Sequence, residues 1–196
     1  IYRHVPVISE TGMHSVPEAR GIREFVSNSE FSDLGGLYDA GFARTHPEIV
    51  SHFAEYLPYR VPRMLSRASH FADMRTPTLE SMAESSQMGA GEFYQILSEG
   101  MQANYPRTTG LLPWAYKRPW PVFSAIMLVD GFGQPSAPFY FLKRTYEPTH
   151  VAVQLPASLW AAGETVPIRT AITHAGAARS GGLTLAVSVL DEAWKV

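Results

Sequence analysis

The chain has 196 residues, of which 45% are hydrophobic and 17% charged, and its formal net charge is -2. That balance describes a globular chain with apolar residues enough for one full domain or two small ones, and it excludes disorder, collagen-like repeats and a coiled coil. Near-neutral charge without a Lys/Arg run argues against nucleic acid or an acidic membrane as partner, no apolar stretch reaches the about 18 residues of a membrane span, and the lack of cysteine excludes disulfides and thiol nucleophiles.

The chain opens on Ile1 rather than Met and runs directly into apolar sequence, so we expect a processed or excised chain. His4 to Ser9 (HVPVIS) reads as a short buried strand ending at a carboxylate, Glu10, before Thr11 and Gly12. Ser15, Val16, Pro17 and Glu18 have the pattern of a capping box with Pro inside it, predicting a helix to about Ser27. A second such signal, Thr45 to Glu48, precedes Ile49, Val50, Phe53, Ala54 and Leu57 on one helical face. Met64, Leu65, Ala68, Phe71 and Ala72 mark another amphipathic run. From Thr78 to about Asn104 the apolar spacing is near-helical, with Gly89 and Gly91 as points where the helix would bend or break.

Gly110 to Tyr116 (GLLPWAY) reads as a second buried strand, followed by the turn-rich KRPWPV and the apolar run Phe123 to Val129. Asp130 to Pro135 is a turn, and Ser136 to Thr145 can form a helix with Pro138 tolerated in its first turn. Composition shifts near Pro148, which places a domain boundary at Tyr146 to Thr149. Beyond it Thr149 to Gln154, Val166 to Thr173 and Leu183 to Leu190 read as strands, with Ala175 to Gly182 as a flexible hairpin loop. Strands alternating with helices imply a parallel sheet, and the later run of strands implies a sandwich-like unit.

Several familiar catalytic signatures are missing. The seven histidines form no HExxH pair, there is no G-x-S-x-G elbow, and Gly89-Ala90-Gly91 lacks the preceding strand and third glycine of a dinucleotide loop. Glu10 remains, because an acid at the end of a buried strand occupies the place where parallel α/β folds present catalytic groups. The same carboxylate could instead cap the turn or pair with an arginine. Trp114 holds the comparable position on the other strand, where its indole could stack on a sugar ring or fill the core.

Taken together these segments resemble glycoside hydrolase family 2, most closely its β-mannosidase-like and exo-glucosaminidase-like branch. The resemblance runs over about residues 1 to 155 and rests on PVISETGMHSVP (Pro6 to Pro17), Ser86-Gln87, GLLPWAYKRPWP (Gly110 to Pro121), Val129-Asp130, Gly133 to Pro135, Phe139-Tyr140, Lys143-Arg144 and Pro148. It implies an α/β fold class: the last part of a TIM-type (β/α)8 barrel over 1–147, followed by part of an all-β immunoglobulin-like sandwich over 148–196. It implies a retaining exo-β-glycosidase that hydrolyses terminal β-linked sugars, β-mannosides or related, through a covalent glycosyl-enzyme. Glu10 then matches the nucleophile, Trp114 the aromatic platform beneath the innermost sugar, and His14 a substrate-side position where glutamine is frequent.

Such an enzyme needs a second carboxyl group roughly 5 to 5.5 Å from the nucleophile, which in this family follows an asparagine, and the chain contains no Asn-Glu pair. Lys117-Arg118 stand where the family usually has Asn-Asp, so a polar or acidic sugar substituent and an ordinary solvated loop are both open. A full barrel takes about 250 residues, and an immunoglobulin-like sandwich about seven strands. We therefore expect a C-terminal portion of a larger enzyme, with the rest of the barrel as a structural partner and a carbohydrate as substrate. Carboxylate chemistry requires no metal and no organic cofactor. The periplasm or the cell exterior would suit a role in polysaccharide breakdown. The competing expectation is a non-catalytic carbohydrate-binding or structural module.

Overall fold

The computed structural model describes residues 5–54, 60–157, 159–176 and 181–195. Strand β1 (Val7–Thr11) pairs in parallel with β3 (Gly110–Pro113), and β2 (His14–Ser15) pairs antiparallel with β4 (Ala125–Ile126). All the helices but the last lie between β2 and β3: α1 (Ala19–Ile22), α2 (Phe42–Thr45), α3 (Pro47–Ser51), α4 (Arg60–Ala68) and α5 (Leu79–Ala103). Helix α6 (Ala137–Thr145) precedes an antiparallel hairpin of β5 (Thr149–Gln154) and β6 (Arg169–His174). The chain is thus a mixed helix and strand structure with its one parallel pair, among the described residues, at β1 and β3.

The predicted strands are half-buried rather than buried. Ile8 and Leu111 face inward, whereas Val7 is 44% and Leu112 54% exposed. His4 lies outside the described residues, and β1 continues through Glu10 to Thr11. The large core forms beneath the helices, where Ile22, Leu34, Leu37, Ile49, Met64, Leu65 and Met82 are all buried around Val16 and Phe123.

The Ser15 to Glu18 capping box does not form. The Val16 N–H is taken by Ser86 Oγ from α5 at 2.9 Å, and Gln87 Nε2 reaches the Glu18 carboxylate at 3.2 Å. With those groups engaged across the fold, regular helix shrinks to Ala19–Ile22, and hydrogen-bonded turns carry the chain to Val26. The Thr45 signal is also displaced, because α3 starts at Pro47 with His46 before it. Its free N–H groups, those of Glu48 and Ile49, are capped by the buried Glu30 carboxylate at 2.9 and 2.8 Å. Leu57 lies outside the described residues.

Helix α5 is continuous over 25 residues and starts at a capping box of Thr78 and Ser81. Gly89 and Gly91 do not break it. A Cβ at Gly89 would meet Arg67 Cβ at 2.9 Å and one at Gly91 the Phe141 ring at 2.6 Å, so the glycines mark where α4 and α6 cross α5 at close range. The turn at Asp130 forms as expected, with Oδ1 accepting from the N–H groups of Phe132 and Gln134 at 2.9 and 2.8 Å.

The hairpin docks on α5 through a buried pair. Glu99 Oε1 lies 3.1 Å from His150 Nε2, and Oε2 accepts from the Val153 N–H at 2.8 Å. Leu183 to Leu190 does not form the predicted strand: it has no regular structure and its leucines and valines are exposed. Alternation alone cannot hold a strand there, since a strand needs a neighbour to pair its backbone groups. Of the predicted loop Ala175 to Gly182, residues 177–180 lie outside the described residues.

Candidate active site

Glu10 owes its position to an irregularity in β1. The partner of Ile8 is Leu111 and that of Thr11 is Pro113, so three residue steps on β1 span two on β3. The extra residue falls at Ser9-Glu10. It breaks the two-residue alternation, leaving both of these side chains exposed and burying Thr11. A bulge of this kind re-aims a side chain at the end of a strand. Here it turns a carboxylate outward at the C-terminal end of a parallel pair, where α/β folds place their ligands.

Trp114 follows the end of β3, next to Thr11. Its N–H donates to the Thr11 carbonyl at 2.7 Å, which extends the β1–β3 pairing by one residue. The indole is 48% exposed, so it is not core. Its carbonyl accepts from the Tyr94 hydroxyl at 3.0 Å, and burial pushes that phenol above its ordinary range, so it remains a donor. The Trp114–Ala115 peptide is cis. Gly12 seals the corner: a Cβ there would lie 2.2 Å from Ile126 Cγ2 and 2.4 Å from the Trp114 carbonyl oxygen.

His14 lies deeper, 5% exposed, on β2. With Gly12, Met13, Arg60, Arg63 and Ile126 it lines a cavity of about 150 Å³. Arg60 Nη1 approaches His14 Nε2 at 3.5 Å. Burial first, then the charges of Arg60, Arg118 and Arg63, lower the imidazole to about 4, so it is neutral at pH 7. A neutral ring can accept from Arg60 at Nε2 and hold its proton at Nδ1. Glu10 and the Trp114 side chain lie outside the lining of this cavity, next to it along the chain.

The residues Glu10, Trp114 and His14 thus fall at one end of the parallel pair, with the first two exposed and the third buried. Arg60 and Arg63 were not singled out from the sequence. Their signal was present in α4, where Arg60, Arg63 and Arg67 recur at helical spacing opposite the apolar stripe. Among the described residues no group of three His, Asp or Glu side chains is placed to hold a metal ion. No described helix is long and apolar enough to cross a membrane.

No family model and no curated protein matches the chain. Its structure is similar to the crystal structure of a β-D-mannosidase from Dictyoglomus thermophilum, with a TM-score of 0.60 and 24% sequence identity. The likeness covers 76% of this chain and 16% of that enzyme, and it establishes a shared fold over that portion.

Proposed function

We propose that this chain forms part of the catalytic domain of a retaining exo-β-glycosidase acting on terminal β-linked sugars, β-mannosides or related. In this reading residues 1–147 belong to the end of a TIM-type barrel and 148–196 open an immunoglobulin-like sandwich. The observation that carries the proposal is the bulge in β1, which exposes Glu10 at the C-terminal end of the parallel pair, the same end at which the exposed Trp114 follows β3. The fold shared with a β-mannosidase supports it, as do the exposed Val7 and Leu112, which offer an apolar face to further barrel strands.

The chemistry follows from the carboxylate. A Glu10 oxygen attacks the anomeric carbon while the glycosidic C–O bond breaks, and the departing oxygen takes a proton from a second carboxylic acid. Water then attacks the same carbon, giving its proton to that second group and releasing Glu10. Trp114 supplies a flat apolar face under the ring's C–H surface. The second carboxyl group is assigned to another part of the catalytic domain, because the family's Asn-Glu pair does not occur in these 196 residues.

Glu10→Gln in the complete enzyme is expected to cut turnover of an aryl β-mannoside by about a thousandfold or more while leaving the melting temperature unchanged, since the side chains are nearly isosteric. A 2-deoxy-2-fluoro glycoside should label Glu10 covalently, as read by peptide mass spectrometry. Wild-type turnover in the variant would remove the nucleophile assignment and leave a carbohydrate-binding module as the better reading.

A further inference from the structure

The two strands that lead to Glu10 and Trp114 part at their C-terminal ends. The β1–β3 ladder closes at Thr11 and Pro113, and the Trp114 N–H adds one more bond to the Thr11 carbonyl. From there one chain runs through Gly12 and Met13 into β2, which pairs with β4. The other runs into Ala115 and Tyr116, whose carbonyls take the Leu128 N–H at 3.1 and 3.2 Å. The relative placing of the two ends is therefore left to contacts outside the ladder.

Tyr94 of α5 supplies such a contact. Its ring is fully buried with Leu128, Val129 and Leu142, and Phe93 lies edge-on to it at 5.5 Å. Its hydroxyl donates to the Trp114 carbonyl at 3.0 Å. Burial raises this phenol above its ordinary range, and the Met13 N–H, donating to the same oxygen, offsets part of that effect. A hydroxyl has one proton and two lone pairs, so it can give to one strand and take from the other at once. Gly12 leaves room for this, because a Cβ there would stand 2.4 Å from the Trp114 carbonyl oxygen and 3.2 Å from the Tyr94 hydroxyl.

Tyr146 offers a comparison on the same strand. Its hydroxyl donates to the Leu111 carbonyl at 3.1 Å, three residues before Trp114, where Leu111 is already paired with Ile8. The two bonds are alike in chemistry and differ in place. That of Tyr146 adds to a ladder already formed, whereas that of Tyr94 joins the strands past the point where their ladder ends.

We infer that Tyr94 is a positioning residue for glycoside hydrolysis: its hydroxyl ties the end of β1, which bears Glu10, to the end of β3, which leads into Trp114. This rests on the glycosidase reading. The fully buried side chain touches no substrate and acts only through the two backbone groups it joins. Nucleophile and sugar platform stand on different strands, and a misplacement of about 1 Å between reacting groups can cost about a hundredfold in rate.

The test compares Tyr94→Phe with Tyr146→Phe in the complete enzyme, with an aryl β-mannoside as substrate. Each variant loses one hydroxyl and keeps its ring. Tyr94→Phe should lower kcat by at least about tenfold while KM changes by less than about threefold, and labelling of Glu10 by the 2-deoxy-2-fluoro glycoside should slow in proportion. Tyr146→Phe should keep kcat within about twofold of the wild type. A purely structural role would lower the melting temperature and leave kcat of the folded protein alone.

Wild-type kcat in Tyr94→Phe, whatever its melting temperature, overturns the inference, as does an equal loss of kcat in the two variants. If Tyr94→Phe does not fold, replacing Tyr94 by 3,5-difluorotyrosine decides the matter. That side chain keeps the shape and the hydroxyl but makes the oxygen a poorer acceptor, so kcat should fall by at least about threefold, and an unchanged kcat overturns the inference. Labelling of Glu10 together with an undisturbed rate in Tyr94→Phe removes the positioning role and keeps the nucleophile. Full turnover in Glu10→Gln without labelling removes the glycosidase reading and this inference with it.

Discussion

Two buried histidines show how differently this fold treats one side chain. His150, between α5 and the hairpin, faces the Glu99 carboxylate, whose other oxygen holds the Val153 N–H, so the buried oxygens of that carboxylate are satisfied from within the chain. His14, at the end of the parallel pair, faces Arg60, Arg63 and Arg118, and two nitrogens of Arg118 are buried without a partner. The first arrangement is closed and joins two parts of the fold. The second gathers cationic side chains around a buried, neutral imidazole next to the exposed end of the parallel pair.

The strongest way to break this contrast is to open the closed centre. Glu99→Ala leaves the buried His150 and the part-buried Val153 N–H without their acceptor and should destabilise the fold by about 3 to 5 kcal/mol, read from denaturant midpoints. Glu99→Gln, which keeps the shape and one acceptor, should cost less. A loss below about 1 kcal/mol for Glu99→Ala would mean that the hairpin is held on α5 by apolar packing, and that the pair is not what joins them.

The contrast also separates what the sequence discloses from what it hides. Helix α6, the Asp130 turn and strand β5 were all legible, because each depends on neighbours within a few residues: Pro138 in the first turn, Asp130 bonding two and four residues on, alternation in THVAVQ. Glu10 and Trp114 were legible as residues at strand ends. Their exposure was not, since it depends on a bulge defined only against β3. The same holds for the Ser15 to Glu18 segment, whose groups are claimed by Ser86 and Gln87 about 70 residues away. Gly89 and Gly91 read locally as helix breakers, and only the crossing of α4 and α6 reveals them as contact points. The cavity needed β2 and α4 to meet, which no local pattern announces.

The open centre should betray itself through pH. The His14 imidazole falls from 6.5 to about 4 in the folded protein, so between those values the unfolded chain binds the proton and the folded one does not. Stability therefore declines as pH falls from about 6.5 towards 4 and levels off below, by up to about 3 kcal/mol for the full shift. Denaturant unfolding at pH 7 and pH 4.5 should show this difference, and His14→Gln should remove most of it. A pH dependence unchanged in the variant would assign the effect to other groups and leave His14 as an ordinary core residue.

The smallest expected effect sharpens the comparison most. Arg63 is exposed and contributes the least of the three arginines to lowering His14, so Arg63→Ala should change stability by no more than about 0.5 kcal/mol in either direction. Glu99 and Arg63 would then occupy opposite ends of one scale, one required for the fold and indifferent to sugars, the other dispensable for the fold. A large destabilisation on removing Arg63 would show that its charge is compensated within the protein. The two histidine centres would then be alike, and unfolding of the Arg63→Ala protein in urea at pH 7 decides between the two.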